Sequence, residues 1–232
     1  MDRSEAGGAL VDAIEEGEAE RVRTLLTAHP DLVNQPLGEG MMPLHAAVRS
    51  GARSVELLEV LLAAGADVAA TSDGWTAMHW GVDCDAPYAG DGEAPEPVLT
   101  RLVEAGADLE ARAPCGSTPL MRAVVSGSVT EVEALLGLGA DPDRTFTEDA
   151  LPEFLAGETL LEVPYCLPRQ YQVAMLAALL AAGADPRRRN EAGLTAREAG
   201  ERTLAEPEED MDAAFLAGVR ECVEVLREAE RR

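Results

Sequence analysis

The decapeptide VTEVEALLGL sets Val129, Val132, Leu135 and Leu136 at helical spacings, an apolar stripe on one face of an amphipathic helix. Stretches of similar period, LLEVLLAA, VLTRLVEA and MLAALLAA, recur along the chain. All four run directly into Gly-Ala-Asp, with the glycines at Gly65, Gly106, Gly139 and Gly183, spaced 41, 33 and 44 residues apart. A degenerate copy, AHPDLV at Ala28–Val33, follows RVRTLLT. A second motif keeps a fixed place between these helices: MPLHAA at Met42–Ala47, TAMHWG at Thr76–Gly81, TPLMRA at Thr118–Ala123, TLLEVP at Thr159–Pro164 and TAREAG at Thr195–Gly200. Thr is a good N-cap and Pro fits the first helical position, so the second motif starts a helix. Gly after an apolar helix fits a left-handed cap, and the Asp after it is suited to bonding local backbone.

This alternation of a turn, a Thr-Pro-Leu-His-like helix start, a second helix and Gly-Ala-Asp resembles the ankyrin repeat family, and the resemblance runs from about Val11 to Ala199. It implies an all-α ankyrin-repeat solenoid of about six stacked helix-turn-helix units, with irregular loops and terminal caps, forming a single domain over 1–232. The units fall at about 5–36, 37–70, 71–111, 112–143 and 144–189, with a capping unit at 190–232. Irregularities mark the loop Asp85–Glu96, the long finger Arg144–Glu158 and the acidic linker Leu204–Asp210. In the fifth unit Leu160, Leu161 and Glu162 replace Pro-Leu-His, and Pro164 and Pro168 interrupt, so its first helix is expected to be short or distorted.

Composition narrows the chemistry. Only 3% of the chain is aromatic against 47% hydrophobic, so Ala, Leu and Val must fill the core. All 19 basic residues are Arg, a pattern that fits a GC-rich bacterial coding bias. With 43 acidic residues the formal charge is −24, which argues against nucleic acid or an anionic membrane as a direct partner. The acidity serves solubility, a salt adaptation or a basic protein partner. The N-terminal stretch is acidic without an apolar core, unlike a signal peptide, and no apolar run is long enough to span a membrane. Cys84, Cys115, Cys166 and Cys222 follow neither a disulfide nor a zinc pattern, so reduced thiols and a cytoplasmic location are expected.

No catalytic constellation, phosphate loop, metal-ligand spacing or cofactor signature is present, and the expectation is a non-enzymatic protein with no cofactor. The resemblance implies that His45 and His79 bond the turn of an adjacent repeat. It also implies a partner surface on the fingers and the exposed faces of the first helices. Carried onto this chain, the finger-tip positions include Met41, Trp75 and Ser117, and the positions near the first-helix ends include Arg49, Asp83 and Ser126. Trp75 stands out, because Trp is the commonest hot-spot residue. Glu39 and Asp73 on neighbouring fingers add negative charge, which matches a basic, aliphatic-rich partner segment. Phe154, with Phe146, Leu151 and Leu155, makes the long finger too apolar for a solvated loop, so it is expected to fold back. The function implied is a protein–protein interaction module acting as a monomeric adaptor, mask or inhibitor. The alternative is an acidic polyanion mimic that inhibits a nucleic-acid-binding protein.

Overall fold

A computed structural model describes residues 3–37, 40–50, 54–82, 96–147, 157–207 and 211–232. The residues group into two compact units, the first holding the described residues up to Ala113 and the second those from Pro114 onward. Helices dominate both, and the described strands are one two-residue pair.

In the first unit, helix pairs α1 (Arg3–Glu15) with α2 (Ala19–Ala28), α3 (Pro43–Arg49) with α4 (Val55–Ala63), and α5 (Ala77–Gly81) with α6 (Glu96–Glu104) stack in two rows. α1, α3 and α5 touch in sequence, as do α2, α4 and α6. Leu10, Ile14, Val22, Leu57, Leu61, Leu99 and Leu102 are fully buried between the rows, so the interior is aliphatic as the composition requires. Between α4 and α5 the strands β1 (Thr71–Ser72) and β2 (Trp75–Thr76) form a hairpin whose turn is Asp73-Gly74, with φ of 51° and 81°. Asp-Gly suits that turn because both central residues need positive φ.

In the second unit, α7 (Pro119–Ser126) pairs with α8 (Val129–Gly137) and α10 (Ala196–Ala205) with α11 (Ala213–Ala229). Between them, a single 3-10 turn at Val163–Cys166 packs on α9 (Arg169–Ala181). That short turn is the distorted first helix that Pro164 and Pro168 announce. In α8 the stripe centres on Val132 and Leu135, both 0% exposed, while Val129 and Leu136 are half-buried. The long finger closes by pairing Thr145 with Thr159, and Phe146 is buried at its base. Leu151, Phe154 and Leu155 lie outside the described residues.

α4, α6, α8 and α9 end in the same way. Gly65, Gly106, Gly139 and Gly183 take φ of 91°, 97°, 99° and 96°, and the following Ala donates back to the helix, as in Ala66 N to Leu61 O at 3.0 Å. Asp67, Asp108, Asp141 and Asp185 each accept at 2.9 Å through Oδ1 from the backbone N–H two residues on. Glycine is needed because the left-handed conformation is strained for other L-residues, and the Asp then bonds the turn internally.

The closing unit carries its charges outward in pairs. Arg197 bridges Glu201 and Glu230, Arg227 bridges Glu201 and Glu224, and Arg169 meets Glu221, all at 2.6–2.7 Å. The Arg187–Arg189 run is absorbed in the same manner: Arg187 donates to the Glu230 carbonyl and Arg189 to Glu198. Cys222 is 0% exposed, and burial pushes its thiol up to about 12. Inside this unit a Cβ on Gly200 would meet the Tyr165 hydroxyl and Val223 at 2.7 Å, so the helices approach closely only because this residue is Gly. Gly200→Ala is therefore expected to destabilise the chain by about 1–3 kcal/mol. A urea transition with an unchanged midpoint would contradict this packing.

Candidate functional site

The most developed exposed surface lies on the first unit, where the β1–β2 finger meets α3 and α5. Its anchor is His45, fully buried, whose Nε2 lies 3.0 Å from the Trp75 carbonyl on the next repeat. A carbonyl only accepts, so Nε2 carries a proton in this bond. Burial pulls the His45 imidazole below its usual value, opposed in part by backbone bonds to Trp75 and Ala70. The other ring nitrogen, Nδ1, is buried without a partner. In the next repeat the equivalent nitrogen of His79 is satisfied: Thr76 N donates to Nδ1 at 3.3 Å, and Thr76 Oγ1 lies 2.8 Å from it. The difference follows from the sequence, since Met42 stands where the later repeats have Thr and makes no side-chain cap.

The finger held in this way presents Trp75 half-buried, edge-on to His79 with ring centroids 5.5 Å apart and planes at 88°. Asp73 at the turn is exposed. One repeat earlier, Met41 is half-buried and its carbonyl accepts from Leu37 N at 2.8 Å. At the far end of α3, exposed Arg49 sits over the Trp80 ring, 5.5 Å from its centroid. A guanidinium on an aromatic face is favourable by about 0.5–1 kcal/mol at an exposed site.

The structure thus brings Met41, Asp73, Trp75 and Arg49 onto the first unit's finger and first-helix elements. Ser117 and Ser126 do not fit the expected role. They are 5% and 8% exposed, and Ser126 Oγ turns back to donate to the Ala123 carbonyl at 2.9 Å. A short hydroxyl that satisfies its own helix offers a partner almost no surface. Glu39, Asp83 and Phe154 lie outside the described residues.

Two features escaped the sequence. One is the Arg49–Trp80 stack. The other is a pocket of about 350 Å³ between the ends of α1 and α3, walled by Val11, Leu37, Met41 and Ala46, with Glu15, Arg49 and Ser50 at its edge. Val11 and Glu15 are four apart, as Ala46 and Ser50 are, and that shared helical register was the available signal. Among the described residues no three His, Cys, Asp or Glu side chains gather as a metal site needs, and no helix is long and apolar enough to cross a membrane.

Comparison with known proteins decides the family. The model for three ankyrin repeat copies matches residues 10–89, and the ankyrin repeat model matches 115–144. The chain is an ankyrin repeat protein. It is similar to the crystal structure of the human ASB11 ankyrin repeat domain, with a TM-score of 0.61 and 26% identity, covering 90% of this chain and 81% of that one. An ankyrin repeat domain from Acinetobacter baumannii has the same fold, with a TM-score of 0.68 at 19% identity over 94% of this chain and 97% of that one. Among curated relatives, Ankyrin repeat protein nuc-2 of Neurospora crassa is 37% identical over 103 residues, 44% of this chain. Ankyrin repeat and SOCS box protein 16 of mouse is 34% identical over 145 residues, 62% of this chain. The chain spans only 9% and 30% of those two relatives' lengths.

The buried ankyrin His45 gives a signed pH prediction. Its folded-state value is depressed, so the stabilisation is complete above the unfolded imidazole value of about 6.5 and is lost as pH falls below it. Wild type should exceed His45→Gln in urea stability by more at pH 8 than at pH 5.5. The variant is the reference because acidification also relieves the repulsion of a −24 chain. A gap that does not change with pH would refute the neutral, buried imidazole.

Proposed function

We propose that this ankyrin repeat protein binds a partner protein through the finger and first-helix surface of its first unit, with Trp75 as the central anchor. Ankyrin repeats are in general non-catalytic protein–protein interaction modules. The observation that carries the finer reading is the finger itself. Trp75 is half-exposed on a two-residue hairpin whose backbone is held by the buried His45. A large amphipathic ring presented without loop-ordering cost is the economical form of a binding hot spot. The surrounding charge supports a basic, aliphatic-rich partner segment: Asp73 is exposed beside the Trp, and the chain carries −24 overall. On this reading the protein acts as a monomeric cytoplasmic adaptor, mask or inhibitor and transforms nothing.

The test is affinity capture with wild type and Trp75→Ala side by side, at about 0.1 M and 1 M salt, where the Debye length falls from about 10 to 3 Å. The expected outcome is a partner retained in 1 M salt by wild type and weakened by about 2–4 kcal/mol in the variant. A set of basic proteins lost only in high salt, and indifferent to Trp75→Ala, would overturn the groove and favour the polyanion mimic.

A further inference from the structure

The pocket between α1 and α3 combines an apolar wall with an unbalanced electrostatic edge. Val11, Leu37, Met41 and Ala46 line it, an aliphatic lining with volume enough for a four-carbon chain. Both bordering helices point their C-terminal ends here, and such ends carry partial negative charge. The two ends are treated differently. α3 has Arg49 in its last turn, and that guanidinium lies over Trp80. α1 has no basic residue in its last turn and ends on Glu15, which is exposed and pairs with no cation among the described residues. The nearby carboxylates Glu16 and Glu18 are already engaged by Arg21 at 3.2 and 2.9 Å. The pocket's apolar floor is therefore bordered on one side by a cation of the chain's own, and on the other by a carboxylate and a helix end that lack one among the described residues.

We infer that this pocket receives a Lys or Arg side chain from the partner segment. The aliphatic stem lies along Val11, Leu37, Met41 and Ala46, and the cationic head meets Glu15 and the C-terminal end of α1. Long basic side chains bury their stems while keeping the head solvated, which is the shape this site offers. The assignment rests on the partner-binding reading above and gives it a residue-level anchor beside Trp75.

The probe is n-butylguanidinium, titrated into the full chain at about 0.15 M salt and followed by methyl NMR of Val11, Leu37, Met41 and Ala46. An acidic surface attracts any cation weakly, so the readout is where the shifts cluster. Expected are saturable shifts at the methyl groups of these four residues, a Kd about tenfold or more tighter than for tail-less guanidinium, and weakening of about two- to fivefold in Glu15→Gln. Glu18→Gln should leave the binding unchanged. Pentanoate or pentanol binding as tightly, shifts spread over the surface, or insensitivity to Glu15→Gln would each overturn the inference. The two readings fail separately. A captured partner that is lost with Trp75→Ala but kept by Glu15→Gln and Met41→Ala sinks the basic-residue pocket and leaves the binding function standing.

Discussion

Four glycines in the left-handed conformation close the second helix of four of the repeats. At φ between 91° and 99°, Gly65, Gly106, Gly139 and Gly183 stop α4, α6, α8 and α9 and turn the chain toward the next finger. A side chain there would strain the turn, and a helix that ran on would shift the following unit out of contact. Because no helix pair covers its own apolar faces, that placement decides whether Leu57, Leu61, Leu99 and Leu102 are buried at all. The local Asp bonds add little energy individually, but they remove alternative turns. The stops and the stacking are thus one constraint expressed at two scales.

The candidate surface follows from the same arrangement. Stacking brings His45 under the next finger, and its Nε2 bond holds the Trp75 carbonyl. A finger fixed by its backbone leaves its side chains available, so the half-buried Trp75 and exposed Asp73 are presented by a scaffold rather than by a loose loop. Where the scaffold is less regular, at Val163–Cys166, the side chains turn inward instead: Tyr165 is buried and its hydroxyl donates to the Ala196 carbonyl at 2.7 Å.

The fold was legible because its determinants are local. A Gly-Ala-Asp stop, a Thr cap and two prolines in the fifth unit each act within a few residues, and each does what its chemistry dictates. The surface was only partly legible, because it depends on contacts between residues far apart in sequence. Nothing near Arg49 says that it will lie over Trp80, 31 positions later, or that Glu15 will face Met41 across a pocket. Position within the motif also misled at Ser117 and Ser126. The motif registers where a residue stands, while burial depends on how far its side chain reaches, and a hydroxyl reaches only its own turn.

The bonds that join one repeat to the next are only in part copies of each other. Asn34 reaches the Gly65 carbonyl and Asp67 N, His45 holds the Trp75 carbonyl, Asp143 accepts from Asp185 N, and Asn190 bonds both Glu158 and Glu162. Near-identical modules strung on one chain run a particular hazard: during folding, a unit can dock on the wrong sibling and still bury leucines. Here His45 and Asn190 make bonds to buried groups at two different seams, so a misordered stack there would strand a buried imidazole or carboxylate without its match. Where a repeat departs from its consensus in this way, the departure gives it a fixed address in the sequence.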